Sequence, residues 1–338
     1  MNFSVSASIS DARAPKDRPA ETKLHEQHST RHSAMGPGME FDCIRGLLEE
    51  WGDYAEGIGD DAAVLSVPPG MQLVVSTDAT VEDVHFRRRW ITAHDVGARA
   101  AAAAFSDLAA MGASASAMLV SLVVPTIWRE HLREFASGLK TTVVSLNARI
   151  VGGNISRGAA FSCTLTVIGY ASQTINRSGA QPGDILFVTG QLGGPAVALA
   201  AWERAEWPPD WAKQRFLHPV ARIHEGAWLA SQGAHAMIDI SDGLAADARH
   251  LEAASSVLCV LVPELLPRFS AVTAQEALIA GEEYELLVAI PAAIARNVAE
   301  RFRSHFDVPF TEIGHVARCE DFAPRVESGA GHDHFSEQ

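Results

Sequence analysis

Six aspartates stand in short motifs flanked by glycine or serine. They are Asp60 and Asp61 in Gly57-Ile58-Gly59-Asp60-Asp61, Asp78 in Ser76-Thr77-Asp78, Asp107 in Ser106-Asp107, and Asp239 and Asp242 in Asp239-Ile240-Ser241-Asp242-Gly243. Each motif borders an apolar run, where a chain leaves a strand or enters a helix. Singly, each reads as an ordinary turn or N-cap aspartate, a position that suits the short acidic side chain. Together they read as one metal site. Two carboxylates about 4 Å apart repel by roughly 4 kcal/mol at an effective dielectric near 20, so a shared cluster requires cations. Several Mg²⁺ ions fit, being hard cations that take carboxylate oxygens and usually carry substrate phosphates as well.

Composition narrows the partners. The chain has 338 residues, 47% hydrophobic and 20% charged, which suits two ordinary globular domains. A formal charge of -14 argues against nucleic acid as a partner and means that an anionic substrate needs metal ions or local arginines to approach. The longest apolar run, Ala117 to Val124, is far too short to cross a bilayer, so no membrane partner is expected. Cys43, Cys163, Cys259 and Cys319 are scattered without a CxxC or CxxH grouping, as reduced thiols of a cytoplasmic protein would be. Residues 1–38 are rich in Ser, Ala, Pro and charge and read as a disordered tail, His25, His28 and His32 included.

The elements that must position the aspartates follow in alternation. Helices are expected over Phe41–Glu50, Thr92–Met111 (with Thr92 and Asp95 as its cap), Thr126–Leu146, Pro195–Trp202, Val220–Ser231, Gly243–Ala254 and Ala292–Phe302. Strands are expected over Ala62–Val67, Met71–Ser76, Ala117–Val124, Phe161–Gly169, Ile185–Thr189, Met237–Ile240, Leu258–Val262 and Tyr284–Ala289. Ile150-Val151 leads into Gly152-Gly153-Asn154. The result is a mixed α/β chain with a boundary near residues 172–180. Gly190-Gln191-Leu192-Gly193-Gly194 lacks both the GxGxxG and the GxxxxGK[ST] spacing, and reads as a tight strand-to-helix turn.

Five motifs in order carry a resemblance: Gly57-Ile58-Gly59-Asp60-Asp61-Ala62-Ala63; Ser76-Thr77-Asp78 with Val84-His85-Phe86; Phe105-Ser106-Asp107-Leu108-Ala109-Ala110-Met111-Gly112; Ile240-Ser241-Asp242-Gly243-Leu244; and Gly281-Glu282-Glu283-Tyr284-Glu285-Leu286. From about residue 40 to 335 the chain resembles the thiamine-monophosphate kinase family of the aminoimidazole-ribonucleotide-synthetase-like superfamily. The resemblance implies a two-domain fold, residues 39–175 and 176–335, with a dimer-forming sheet in the first domain and an α/β second domain completing the active site. It implies a homodimer that uses ATP and Mg²⁺ to phosphorylate thiamine monophosphate to thiamine diphosphate. Carried over by position, Asp60, Ser76, Thr77, Asp78, Asp107, Asp239 and Asp242 look like metal ligands. Gly153, Asn154, Arg177 and Ser241 look like ATP contacts, and His85, Glu282 and His332 like substrate contacts. No dedicated catalytic side chain is implied. The acceptor is itself a phosphate, with a second pKa near 6, so it needs no strong general base.

The chain departs from that family at three points. Asn154 stands where the family has Asp, Glu283 where it has a second Asp, and His332 where it has Trp or Tyr. Asn removes a charge from a metal position, and His is a smaller stacking platform. A non-catalytic or substrate-shifted nucleotide-binding paralogue of the same superfamily, such as one like aminoimidazole ribonucleotide synthetase, is the alternative. Arg87-Arg88-Arg89 read as a solvated charged face and stay outside the expected site.

Overall fold

The alanine-rich helix α2, Ala93–Ala110, is the element around which the chain is arranged. Its N-terminus carries the expected capping box, with Thr92 accepting from the Asp95 amide and Asp95 accepting from the Thr92 amide. Small side chains let its neighbours come unusually close. A Cβ on Gly97 would lie 2.2 Å from the Phe135 carbonyl oxygen, and one on Gly138 would lie 1.9 Å from that of His94. These two glycines form the crossing between α2 and α3, Leu132–Ser145. Along the same helix, Gly226 of α6, Ile223–Ser231, would bring a Cβ within 2.1 Å of the Ala109 carbonyl.

The computed structural model describes residues 38–59 and 61–321. Residues 1–37 of the expected tail, with Asp60 and His332, lie outside the described residues. Helix α1, Met39–Trp51, packs on α3. One sheet, ordered β1-β4-β2-β3, comprises Gln72–Val81, Ser162–Ala171, Ser114–Val124 and Arg149–Arg157. β4 runs antiparallel to both neighbours, whereas β2 and β3 are parallel and joined through α3. The second sheet, ordered β6-β8-β5-β9-β7, is antiparallel throughout. Its strands are Ala236–Asp239, Leu286–Ile290, Ile185–Thr189, Phe310–Ala317 and Leu258–Leu261. The helices α4 (Gly194–Glu203), α5 (Asp210–Leu217), α7 (Leu244–Ser255), α8 (Ala274–Ile279) and α9 (Ala292–His305) complete this half. Helix α2 packs on β1 and β4 of the first sheet and also touches β6 and α6 of the second half. It therefore spans the seam where the aspartates meet.

Several expectations need correction. Ala62–Val67 is not a strand: it has no ladder partner, and Val64 is 95% exposed. Thr126–Leu146 is not one helix, because its first turn, Thr126–His131, is 3₁₀ after Pro125 and α-helix begins at Leu132. The residues Gly152-Gly153-Asn154, given no element in advance, belong to strand β3. There the backbone lies so close to β2 that a Cβ on Gly153 would sit 1.9 Å from the Val120 carbonyl oxygen. The helix expected from Val220 begins at Ile223, and the strand expected from Tyr284 begins at Leu286. Helices α5 and α8 and strand β9 lay in stretches that were assigned no element.

Candidate functional site

Along the middle of β1, alternate residues face opposite ways. Ser76 and Asp78 turn toward α2, and the Ser76 hydroxyl donates to Asp107 Oδ2 at 2.5 Å. Thr77 faces the outer side and bonds Thr166 across the ladder at 3.2 Å. One residue before Asp107, the fully buried Ser106 reaches the other half and donates to Asp239 Oδ2 at 2.8 Å. Asp239 ends β6 and is 4% exposed. Burial first, then the neighbouring charge of Asp107, push its carboxyl up to about 6, opposed by the Ser106 hydroxyl and by the positive field of Arg177.

The aspartates among these residues line one cavity of about 1130 Å³, whose lining does not include Ser76. Asp78, Asp107, Asp239, Asp242, Arg177 and Ser241 stand on its walls, as do His85 and Glu282. The donor set is hard oxygen from carboxylates, and one of them is so desolvated beside a like charge that it resists ionisation. That chemistry fits a divalent cation such as Mg²⁺. Other expected site residues are elsewhere. Thr77, Gly153 and Asn154 do not line the cavity; the last two are exposed on edge strand β3, Asn154 opposite Ser121. Asp61 is exposed and does not line it either. The Gly190–Gly194 segment is the tight turn expected, with Gly190 and Gly193 at φ 65° and 95° and α4 starting at Gly194.

The loop after β6 is shaped by a residue that the sequence reading missed. Asp247, 2% exposed on α7, accepts the backbone N–H groups of Ser241, Asp242 and Gly243 through Oδ2 at 3.0, 3.1 and 3.2 Å. Burial, then the charges of Asp239 and Asp242, push its carboxyl up to about 7 against those amides. Among the described residues, Asp242, Asp247 and His250 form a group whose ligand atoms all lie within 4.8 Å of one another. Nothing in the sequence marks Asp247, which reads as an ordinary helix acid.

Also at the cavity, Glu282 is gripped from the first half of the chain. Arg99 of α2 donates to Glu282 Oε2, and the Tyr284 hydroxyl donates to the same oxygen at 2.7 Å. Both Glu282 and Tyr284 have positive φ, 65° and 53°, strained for non-glycine residues and concentrated at the cavity. Beneath them, Glu283 accepts the Gly193 amide, while Glu285 takes Arg215, Arg222 and Thr189. The substrate wall thereby rests on a buried charge network. His85 Nδ1 accepts the Val81 amide at 3.1 Å, which in the neutral ring leaves the proton on Nε2. The arginine run is not wholly outside the site: Arg87 lines the cavity with its guanidinium 4.7 Å from the Trp90 ring centroid, and Trp90 stacks on Trp202.

Residues 59–171 match the family described as AIR synthase related protein, N-terminal domain, and residues 181–327 match its C-terminal domain. The thiamine-monophosphate kinase of Haemophilus influenzae is 32% identical over 332 residues, spanning 90% of this chain and 99% of that protein. Among solved structures, the thiamine-monophosphate kinase from Stenotrophomonas maltophilia K279a superposes with a TM-score of 0.74. It has 31% identity and covers 84% of this chain and 95% of its own. The structure of AaThiL complexed with AMPPCP and TMP gives a TM-score of 0.70 at 31% identity, covering 86% of this chain and 95% of that one.

Proposed function

The chain belongs to the thiamine-monophosphate kinase family of AIR synthase related proteins, and from that membership we propose that it transfers the terminal phosphoryl group of ATP to the phosphate of thiamine monophosphate. The products are thiamine diphosphate and ADP. One observation carries the reading: a single cavity is lined by Asp78, Asp107, Asp239, Asp242 and Glu282, with Arg177 beside Asp239.

We assign Asp78, Asp107, Asp239 and Asp242 to holding Mg²⁺; for Asp60, Ser76 and Thr77 the assignment rests on the motif alone. Bound there, Mg²⁺ supplies the neutralisation that lets two polyanions approach. The protein's own residues orient and exclude. Arg177 grips ATP phosphate in a bidentate manner, and Ser241 presents its loop to the same side. For Gly153 and Asn154 as ATP contacts, and for His332 as a substrate contact, the support is again the motif alone. His85 and Glu282 hold the acceptor, whose phosphate is already largely dianionic near neutral pH and attacks without a general base.

The proposed active form is a homodimer paired through the outer face of the first sheet, where Leu73 and Val75 of β1 are 49% and 53% exposed. A cytoplasmic setting is supported by four free cysteines. Among the described residues no helix is long and apolar enough to cross a membrane. The alternative of a non-catalytic paralogue is not favoured, since the relatives matched over nearly their whole length are kinases. Incubation with ATP, Mg²⁺ and thiamine monophosphate, followed by chromatography, tests the assignment. Thiamine diphosphate appearing in step with ADP is the expected result. ADP without thiamine diphosphate would indicate another acceptor, and ATP binding without turnover would indicate the paralogue.

A further inference from the structure

Glu282 offers its two oxygens to different surroundings. Oε2 receives both the Arg99 guanidinium and the Tyr284 hydroxyl, whereas Oε1 receives no donor from the described residues. The side chain is 28% exposed, and it lines the cavity. A carboxylate satisfied at one oxygen and open at the other is an oriented acceptor, because the clamp fixes the direction in which the open lone pairs point.

The clamp is itself held from several directions. Arg99 is buried, also donates to the Phe216 carbonyl, and places its guanidinium 3.8 Å from the Phe216 ring centroid and 5.8 Å from that of Tyr284. The Glu282 and Tyr284 amides donate to the Ser241 and Ile240 carbonyls at 2.7 and 2.8 Å, which ties the strained segment to the loop that bears Asp242. Helix α2 carries Arg99 and, eight residues later, Asp107. At 1.5 Å per residue these two side chains leave the helix about 12 Å apart along one rigid rod.

We infer that Arg99 and Tyr284 are positioning residues that turn Glu282 Oε1 toward the ring system of the acceptor, so that they set ring recognition rather than phosphoryl transfer. The inference rests on the kinase reading above. The ring system that an open carboxylate oxygen selects is one bearing a hydrogen-bond donor or a positive charge. Thiamine offers both, an exocyclic amine on its pyrimidine and a cationic thiazolium. Because Arg99 neutralises much of the Glu282 charge, the contact is a directed hydrogen bond more than a free ion pair. The partly exposed Trp90 on the same cavity gives such a ring a flat neighbour.

Tyr284→Phe tests this in the full-length protein, since it keeps the ring and deletes only the hydroxyl. KM for thiamine monophosphate should rise about tenfold, the order expected for losing support to one charged hydrogen bond, while kcat and KM for ATP stay within about twofold. Arg99→Lys should move the same constant in the same direction. In a Glu282→Gln background, Tyr284→Phe should add little, because the oxygen it steadies has been altered already. A KM for thiamine monophosphate that changes less than about twofold overturns the inference, as does an equal change in kcat or in KM for ATP. Calorimetric titration of thiamine monophosphate into both proteins separates this inference from the kinase reading. Weaker binding by Tyr284→Phe supports the clamp even where no diphosphate forms, and that outcome would sink the kinase reading alone; equal binding sinks the clamp.

Discussion

Ser106 donates its hydroxyl to Asp239 at 2.8 Å across the seam between the two halves of the chain. Both partners are buried, so the bond is one of few things that keep Asp239 soluble in the protein interior. Ser106→Ala should leave that carboxylate without its donor and lower the stability of the metal-free protein by about 1–3 kcal/mol. Urea denaturation without Mg²⁺ measures the loss. An unchanged midpoint would mean that the seam does not depend on this bond.

Asp247 sets the shape of the Ser241–Gly243 turn through three amide hydrogen bonds. Asp247→Ala should release the turn and with it the direction of Asp242, weakening Mn²⁺ or Mg²⁺ binding by roughly 10–100-fold, the usual effect of removing a group that orients a ligand. Titration calorimetry reads the affinity, and far-UV circular dichroism shows that the fold persists. Retained affinity in a folded variant would place Asp247 outside the metal machinery.

The aspartate motifs were legible because short Ser/Gly-flanked acids at element ends have few other uses in combination, and their order along the chain fits one family. The residues that hold them were not legible. Asp247 sits in the first turn of α7 and Arg99 within α2, where sequence shows only an acid among alanines and an arginine among alanines. Their meaning comes from backbone amides or a distant carboxylate folded against them. Helix α2 itself was plain from propensity and its capping box. Strand β3 was not legible because glycine weakens the strand pattern, whereas here its missing side chain is what lets two strands lie together. The false strand at Ala62–Val67 had strand-like residues but no neighbour to pair with, which a local pattern cannot reveal.

On β1, Leu73 and Val75 project from the outer face of the sheet and are 49% and 53% exposed. Val75→Glu should therefore break the proposed dimer without disturbing the fold of one chain, since a charge is costly in an apolar interface. Sedimentation velocity of the wild type should give a dimer and of the variant a monomer with unaltered circular dichroism. A wild-type monomer, or a variant that stays dimeric, would move the interface off this face.

Glu283 is 1% exposed, its Oε2 has no hydrogen-bond partner, and burial pushes its carboxyl from the ordinary 4.5 up to about 8, against the attraction of Arg215 and the Gly193 amide. The folded protein therefore keeps this proton at pH values where the unfolded chain has released it. Where the folded state binds more protons, stability falls as pH rises. The contribution is complete below about 4.5 and is lost as pH climbs to about 8, beyond which it changes no further. Glu283→Gln cannot ionise and lacks that slope, while other titrating groups act alike in both proteins. The difference in Tm, wild type minus variant, should thus decline steadily between pH 5 and pH 8 when measured by calorimetry without Mg²⁺. A difference that stays flat over the same interval would mean that Glu283 is held as a carboxylate by Arg215.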